Sequence, residues 1–412
     1  MQRSVKAIYF DISVPRYVIG KALGALYKPL YWSGLSCLRY GRVPEPALPG
    51  PDWVKIRTRY GGICGSDWGL ILLHQSPYLS PFGSDRFVIG HENLGTIAEV
   101  GPEVEGWSEG ERVIADLMLP CAPRGFREPC PACQRGDYNL CERFAEGALS
   151  PGTILGSCAD TGGSWGPVYV AHKSQLVRVP ENVSDENAIL LDALSSALHP
   201  VLRNFPEDDE TVLVLGAGTI GLSVVASLRA LGSQARLLVL AKYPFQGELA
   251  RRYGADEIVF LGRDGAHYQA LADLTGAKVY HPILGKPALV GGADLVYECV
   301  GSDSSVDDAL RLAASGGKVV LVGLAAAPKG VDWTPIWFQE LTLKGSFTVS
   351  TETYQGHRLR TYEVGLELMA QGKVDLSPLL THRFRLAEYR QAFQTLSARK
   401  ANGALKAVFT FE

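Results

Sequence analysis

Residues 211–232 read TVLVLGAGTIGLSVVASLRALG. Five strand-forming residues run into Gly216-x-Gly218-x-x-Gly221, and an apolar helical run follows. Residues 212–228 carry no charge, and a run of that length suggests a membrane span. The three glycines argue instead for a strand, a tight turn and a buried helix. Such a turn suits a dinucleotide. Gly216 permits the bend, Gly218 lets a pyrophosphate approach the backbone, and Gly221 lets helix and strand pack closely. Thr219 and Ile220 open the helix, whose free N–H groups favour an anion, so they join the glycines as candidate cofactor contacts. A glycine turn with no ligand is the plain alternative.

Downstream, the apolar runs LLVLA, EIVFL, DLVYECVG and KVVLVG alternate with helical stretches such as QGELARRYG. That alternation indicates parallel strands with crossover helices, a doubly wound cofactor-binding unit over residues 196–346. The end of the second strand selects the cofactor. An NAD site places Asp or Glu there for the ribose hydroxyls. Here Ala241 is followed by Lys242 and Tyr243. With no carboxylate to repel a 2′-phosphate and a lysine to pair with it, NADP is expected over NAD. A merely solvated Lys242 is the alternative. Val300 and Val322 end later strands and are expected along the nicotinamide crevice.

Upstream to about residue 195 the texture is short strands and turns: WVKIRTRYGGI, NLGTIAEVG, ERVIADL, LVRVP. With 412 residues the chain exceeds what one core comfortably fills, so two domains are expected. A net charge of −3 offers no basic field for nucleic acid and no polybasic membrane patch. The opening stretch, MQRSVKAIYFDISVP, has no signal-peptide run, because Asp11 interrupts it. A cytoplasmic setting is expected, where thiols stay reduced. Four of the eight cysteines fall in residues 121–141, and a reducing setting tilts their reading from disulfide toward metal.

Two short motifs precede the glycine turn: Cys64-Gly65-Ser66-Asp67 and Gly90-His91-Glu92. Alone, Cys64 reads as a packing residue and His91 as a core histidine. Together, ahead of a dinucleotide fold, they resemble the zinc-dependent alcohol dehydrogenases of the medium-chain dehydrogenase/reductase superfamily, from about residue 50 to the end. The resemblance implies an α/β chain with a strand-rich, GroES-like catalytic domain, residues 1–195 and 347–412, carrying a structural-zinc lobe at about 119–145. It implies that Cys64 and His91 bind a catalytic zinc. For the third ligand, AILLDALSSALHPV offers Asp192, as in the aspartate-ligand branch of the family; a helix cap is its other reading. Glu92 would be an exchanging fourth ligand or a supporting group. Three such ligands leave one position for water or substrate, and zinc there acts as a Lewis acid.

Ser66 matches the hydroxyl that takes the substrate proton. The family's next relay histidine is missing, since Trp68-Gly69-Leu70 stands there; His74 or water would replace it. The family's structural zinc uses four cysteines. Cys130, Cys133 and Cys141 have the expected gaps, but position 127 is Arg127, and Cys121 is the substitute. A longer loop reaches back at little extra entropic cost. Lys406 stands where relatives place a basic residue on the pyrophosphate; an edge-strand lysine is its other reading. Cys37, Cys158 and Cys299 are expected to pack.

The implied function is hydride transfer between a secondary alcohol, polyol or sugar and its carbonyl, with NADP or NAD, by a homodimer or homotetramer free of nucleic-acid and membrane partners. A zinc-free quinone or enal reductase and a non-catalytic structural relative are the alternatives. Residues 9–40, longer and more aromatic than the family needs, would wall the pocket, cover a subunit contact or enlarge the core. Residues 267–292 form a second addition with no legible role.

Overall fold

A computed structural model describes residues 3–262 and 264–411; Met1 and Gln2 of the opening stretch lie outside them. The run at 211 folds as strand Thr211–Leu215, a turn, and helix Thr219–Ala230. It lies inside a six-stranded sheet ordered Glu257–Phe260, Arg236–Ala241, Thr211–Leu215, Ala293–Glu298, Ala313–Leu321, Thr342–Gly345. Every neighbouring pair is parallel. The order reverses between Thr211–Leu215 and Ala293–Glu298, which opens a crevice at the carboxyl ends of those strands. Val212, Val214, Val239 and Val296 have no exposed surface, as expected for strands covered on both faces. Among the described residues no helix is long and apolar enough to cross a membrane.

A second, seven-stranded sheet joins both ends of the chain. Trp53–Ile63 pairs antiparallel with Asn93–Val100, with Val168–His172 and with Lys406–Thr410, and Leu380–Arg385 lies parallel beyond the last. The register sets Val408 opposite Gly62 and Asn93 opposite Gly61. The ends of three distant segments, near Cys64, Glu92 and Lys406, therefore converge. Helix Leu191–Arg203 links the two sheets, and the boundary expected between 195 and 196 falls inside it.

The addition at 9–40 begins in strand Ser4–Asp11, which pairs with Leu38–Pro44 and Arg86–Val88. Between the first two of these strands lie helix Val14–Gly24 and a 3-10 turn, Lys28–Trp32. Trp32 is buried against Trp68 and Phe393, with ring centroids 5.8 and 5.9 Å away. The addition at 267–292 is most of helix Ala266–Thr275 and a hairpin of Lys278–Tyr280 with Ala288–Val290.

Candidate active site and cysteine cluster

Cys64 caps helix Gly65–Ile71, and Asp67 in its first turn holds the entry. One Asp67 oxygen accepts the Cys64 N–H at 2.9 Å; the other lies 3.3 Å from His91 Nδ1. A carboxylate on one ring nitrogen leaves Nε2 free, the arrangement that orients a metal-binding histidine. Burial opposes a charged His91 ring, but Asp67 outweighs it, aided by Cys64, and holds the imidazole pKa well above its ordinary value. Ser66 Oγ is 3.5 Å from His91 Nε2.

Cys64, His91 and Glu92 bring ligand atoms within 4.8 Å of one another. Glu92 is almost fully buried, and one oxygen is taken by the Lys406 ammonium. Its Oε2 is buried with no hydrogen-bond partner. A buried carboxylate with an unpartnered oxygen, grouped with a thiol and an imidazole, is a donor set that a divalent cation fits. Burial pushes the Glu92 carboxyl up, Lys406 pulls it down, and Asp192 pushes it up again.

Asp192 does not join that group. It sits buried in the first turn of Leu191–Arg203, not at its cap, and its Oδ1 accepts from Tyr362 Oη at 2.6 Å. Lys406 departs from its expected place on the pyrophosphate: it is buried and ion-paired with Glu92. The pairing of Ala407 with Ile63 puts Lys406 beside Cys64, which explains the difference. Trp68-Gly69-Leu70 supplies no histidine. His74 is exposed and has no recorded hydrogen bond to Ser66; its imidazole pKa is lowered, first by partial burial and then by Lys21 and Lys28.

Three residues that shape the site escaped the sequence reading. Asp67 lay within a quoted motif, so local spacing was a usable signal. Gly62 is required because a Cβ there would collide with the Glu92 carboxylate. Tyr362 gave no signal, being 170 residues from Asp192.

The second cluster is Cys121, Cys130, Cys133 and Cys141, all buried. All eight cysteines are free thiols. Cys121 Sγ lies 3.7 Å and Cys130 Sγ 3.9 Å from Cys141 Sγ. A tetrahedron with zinc–sulfur bonds of ~2.3 Å has edges of about 3.8 Å. The N–H groups of Cys130, Glu142 and Arg143 point at sulfurs of the cluster at 3.3–3.5 Å. The Cys141 thiol is pulled down to about 6, first by its Cys133 neighbour. Arg127, at the position of the absent cysteine, is exposed.

At the crevice, Gly216 has φ +101°, and a Cβ on Gly221 would collide with the Gly216 carbonyl oxygen. A Cβ on Gly218 would meet nothing within 4 Å, so the space over it is open. Thr219 and Ile220 form the half-buried first turn. A sharp test separates these roles. Gly218→Val should raise the cofactor Kd at least about tenfold, ~1.4 kcal/mol, with thermal stability kept. Gly221→Ala should lower stability as well. A Gly218→Val variant that binds NADPH normally would place the diphosphate elsewhere.

Val300 is exposed, with its side chain where a Gly216 Cβ would go. Buried Glu298 fixes that rim, accepting from Val300 and Gly301 at 2.9 Å while its carbonyl takes the Val322 N–H at 2.9 Å. Ala241 is buried, Lys242 is exposed, and Lys242 Nζ lies 5.7 Å from the Tyr243 ring centre.

A family model described as alcohol dehydrogenase GroES-like domain matches residues 50–181. One described as zinc-binding dehydrogenase matches residues 219–362. L-idonate 5-dehydrogenase of Vitis vinifera is 32% identical over 396 residues, spanning 95% of this chain and 97% of the relative. Sorbitol dehydrogenase of Arabidopsis thaliana is 33% identical over 379 residues, 91% and 93% of the two chains. A solved structure from Sinorhizobium meliloti 1021, described as a zinc-binding dehydrogenase with NADP bound, superposes with a TM-score of 0.72 over 100% of both chains at 23% identity; that likeness shows the fold.

Proposed function

The chain belongs to the zinc-type alcohol dehydrogenases of the medium-chain superfamily, and on that premise we propose that it oxidises a secondary alcohol of a polyol or sugar-acid class, or reduces the matching ketone, with NADP(H). Family membership makes it an NAD(P)-dependent oxidoreductase. The substrate class follows the names of the two curated relatives. The observation that carries the reading is the unpartnered Glu92 Oε2 beside Cys64 and His91.

Cys64, His91 and Glu92 are the residues that would hold the catalytic metal, with Asp192 close by and anchored by Tyr362. Zinc held there supplies Lewis acidity, which makes an alcohol a better acid near neutral pH. Asp67 orients the His91 ring. Lys406 pulls the buried Glu92 carboxyl toward its ionised form, against the burial that raises its pKa. Ser66 takes the substrate proton, and water carries it onward, since Trp68-Gly69-Leu70 holds no histidine and exposed His74 makes no hydrogen bond to Ser66. The glycine turn and the first N–H groups of Thr219–Ala230 bind the diphosphate. The cysteine cluster would hold a second, structural zinc, a closed site with no position left for chemistry.

Metal analysis together with an NADP-linked screen of secondary alcohols, polyols and sugar acids tests this reading. Zinc-free protein with full activity would sink it, and would favour the zinc-free reductase. Ser66→Ala should lower kcat about 100-fold and alter its pH profile, with cofactor Kd unchanged; an unchanged profile would remove Ser66 from the proton path. NADPH should bind tighter than NADH, and Lys242→Glu should cut that preference about tenfold or more. Fluorescence titration reads both; tighter NADH binding in the native chain would overturn the preference.

A further inference from the structure

Helix Val14–Gly24 is turned the wrong way for a soluble surface helix. It buries its glycines: Gly20 sits against Leu73 and Ser36, and Gly24 against the Tyr31 ring. Apart from Tyr17, half-buried against the core, its large residues face out. Val14 is 74% and Leu26, just past its end, 85% exposed; Val18, Ile19, Leu23 and Tyr27 are exposed with them. An amphipathic helix of a soluble protein normally does the reverse. Leu73, against which Gly20 packs, leads into the 3-10 turn Pro77–Phe82, where Tyr78 and Leu79 are also exposed.

The charged residues on the helix and at its exit are all basic, although Asp11 just before it is acidic. From Ile12 to Pro44 there is no Asp or Glu, while Arg16, Lys21 and Lys28 lie along the helix and its exit. Arg16 pairs with Asp11 at 3.1 Å, and Lys21 donates to the Leu73 carbonyl at 2.5 Å. Among the described residues the Lys28 ammonium has no hydrogen-bond or ion-pair partner. The whole-chain charge of −3 hides this local excess.

We propose that the apolar face of Val14–Gly24, with its basic rim, docks on an anionic lipid bilayer, the helix lying in the headgroup plane. An apolar face with Lys and Arg beside it binds such surfaces through buried area plus attraction to acidic headgroups. A second copy of the chain is the weaker occupant. A two-fold contact would set this patch against itself, and the arginine and lysines would meet their own kind. The docking element is tied to the catalytic one, because Lys21 holds Leu73 and, in the turn after the helix, Trp32 packs against Trp68 on helix Gly65–Ile71. The expectation of no membrane partner, drawn from bulk charge, gives way to a peripheral one that needs no spanning helix.

The test is co-sedimentation of the full-length, metal-loaded protein with vesicles of phosphatidylcholine and phosphatidylglycerol, and with phosphatidylcholine alone. The native chain should pellet with the anionic vesicles, weakly with the neutral ones, and less at high salt. The double variant Val18→Glu, Leu26→Glu should partition about tenfold or more less well, with zinc content and NADPH binding unchanged, since both side chains are exposed. Native protein that stays in the supernatant with anionic vesicles would overturn the proposal. So would light scattering showing an oligomer that the double variant splits into monomers.

Discussion

Cys121→Ser is expected to remove one metal ion per chain and to destabilise the protein by more than about 4 kcal/mol. Cys121 is far from the position the family spacing marks, yet its sulfur closes the cluster with Cys130, Cys133 and Cys141. The lobe around them has little regular structure: much of residues 121–141 is turn, with a four-residue helix and a three-residue 3-10 turn. Metal binding there is folding free energy. The variant also buries a hydroxyl among thiolates. Metal analysis and denaturant unfolding check it, with Arg127→Ala as the control that should change neither. Two zincs and native stability in Cys121→Ser would mean the cluster does not bind metal through that sulfur.

The second large effect is expected at Lys406. Lys406→Met removes the ion-pair partner of buried Glu92, and breaking a buried pair from one side costs about 3–5 kcal/mol. The same change should weaken metal retention at the catalytic site about 10- to 100-fold, because an unneutralised, buried Glu92 shifts toward its protonated form. The double variant Glu92→Gln, Lys406→Met should regain much of the stability but not the metal, which separates packing from charge. Unfolding midpoints and zinc dissociation under chelator read the two effects. If Lys406→Met kept both stability and metal, the pair would be an accident of packing and Lys406 would again be free for the pyrophosphate.

Much of this was legible in the sequence. The glycine turn between strand and helix is local, and its consequences for Gly216, Gly218 and Gly221 follow from backbone sterics within a few residues. The motifs at 64–67 and 90–92 are also local, and so are the gaps joining Cys130, Cys133 and Cys141. Cys121 was inferred across a gap that no pattern prescribes, because a flexible loop closes with little dependence on length.

What spacing alone could not decide was which distant groups meet. Glu92 and Lys406 are 314 residues apart, and Asp192 and Tyr362 are 170. Asp192, expected as a metal ligand, accepts from Tyr362 through one oxygen, and Glu92 is the carboxylate grouped with Cys64 and His91. Strand register settles such choices, since one residue of slip would send each side chain to the opposite face of the sheet. The outward apolar face of Val14–Gly24 belongs to the same class: its periodicity fits burial, and only the packing of Gly20 and Gly24 shows which side was buried. By itself the sequence determined the elements, the glycine turn and the supply of candidate metal ligands, because each depends on neighbours in the chain. The tertiary structure alone decided the ligand geometry, the Glu92–Lys406 pair and the exposed helix face, because each depends on surfaces that only folding brings together.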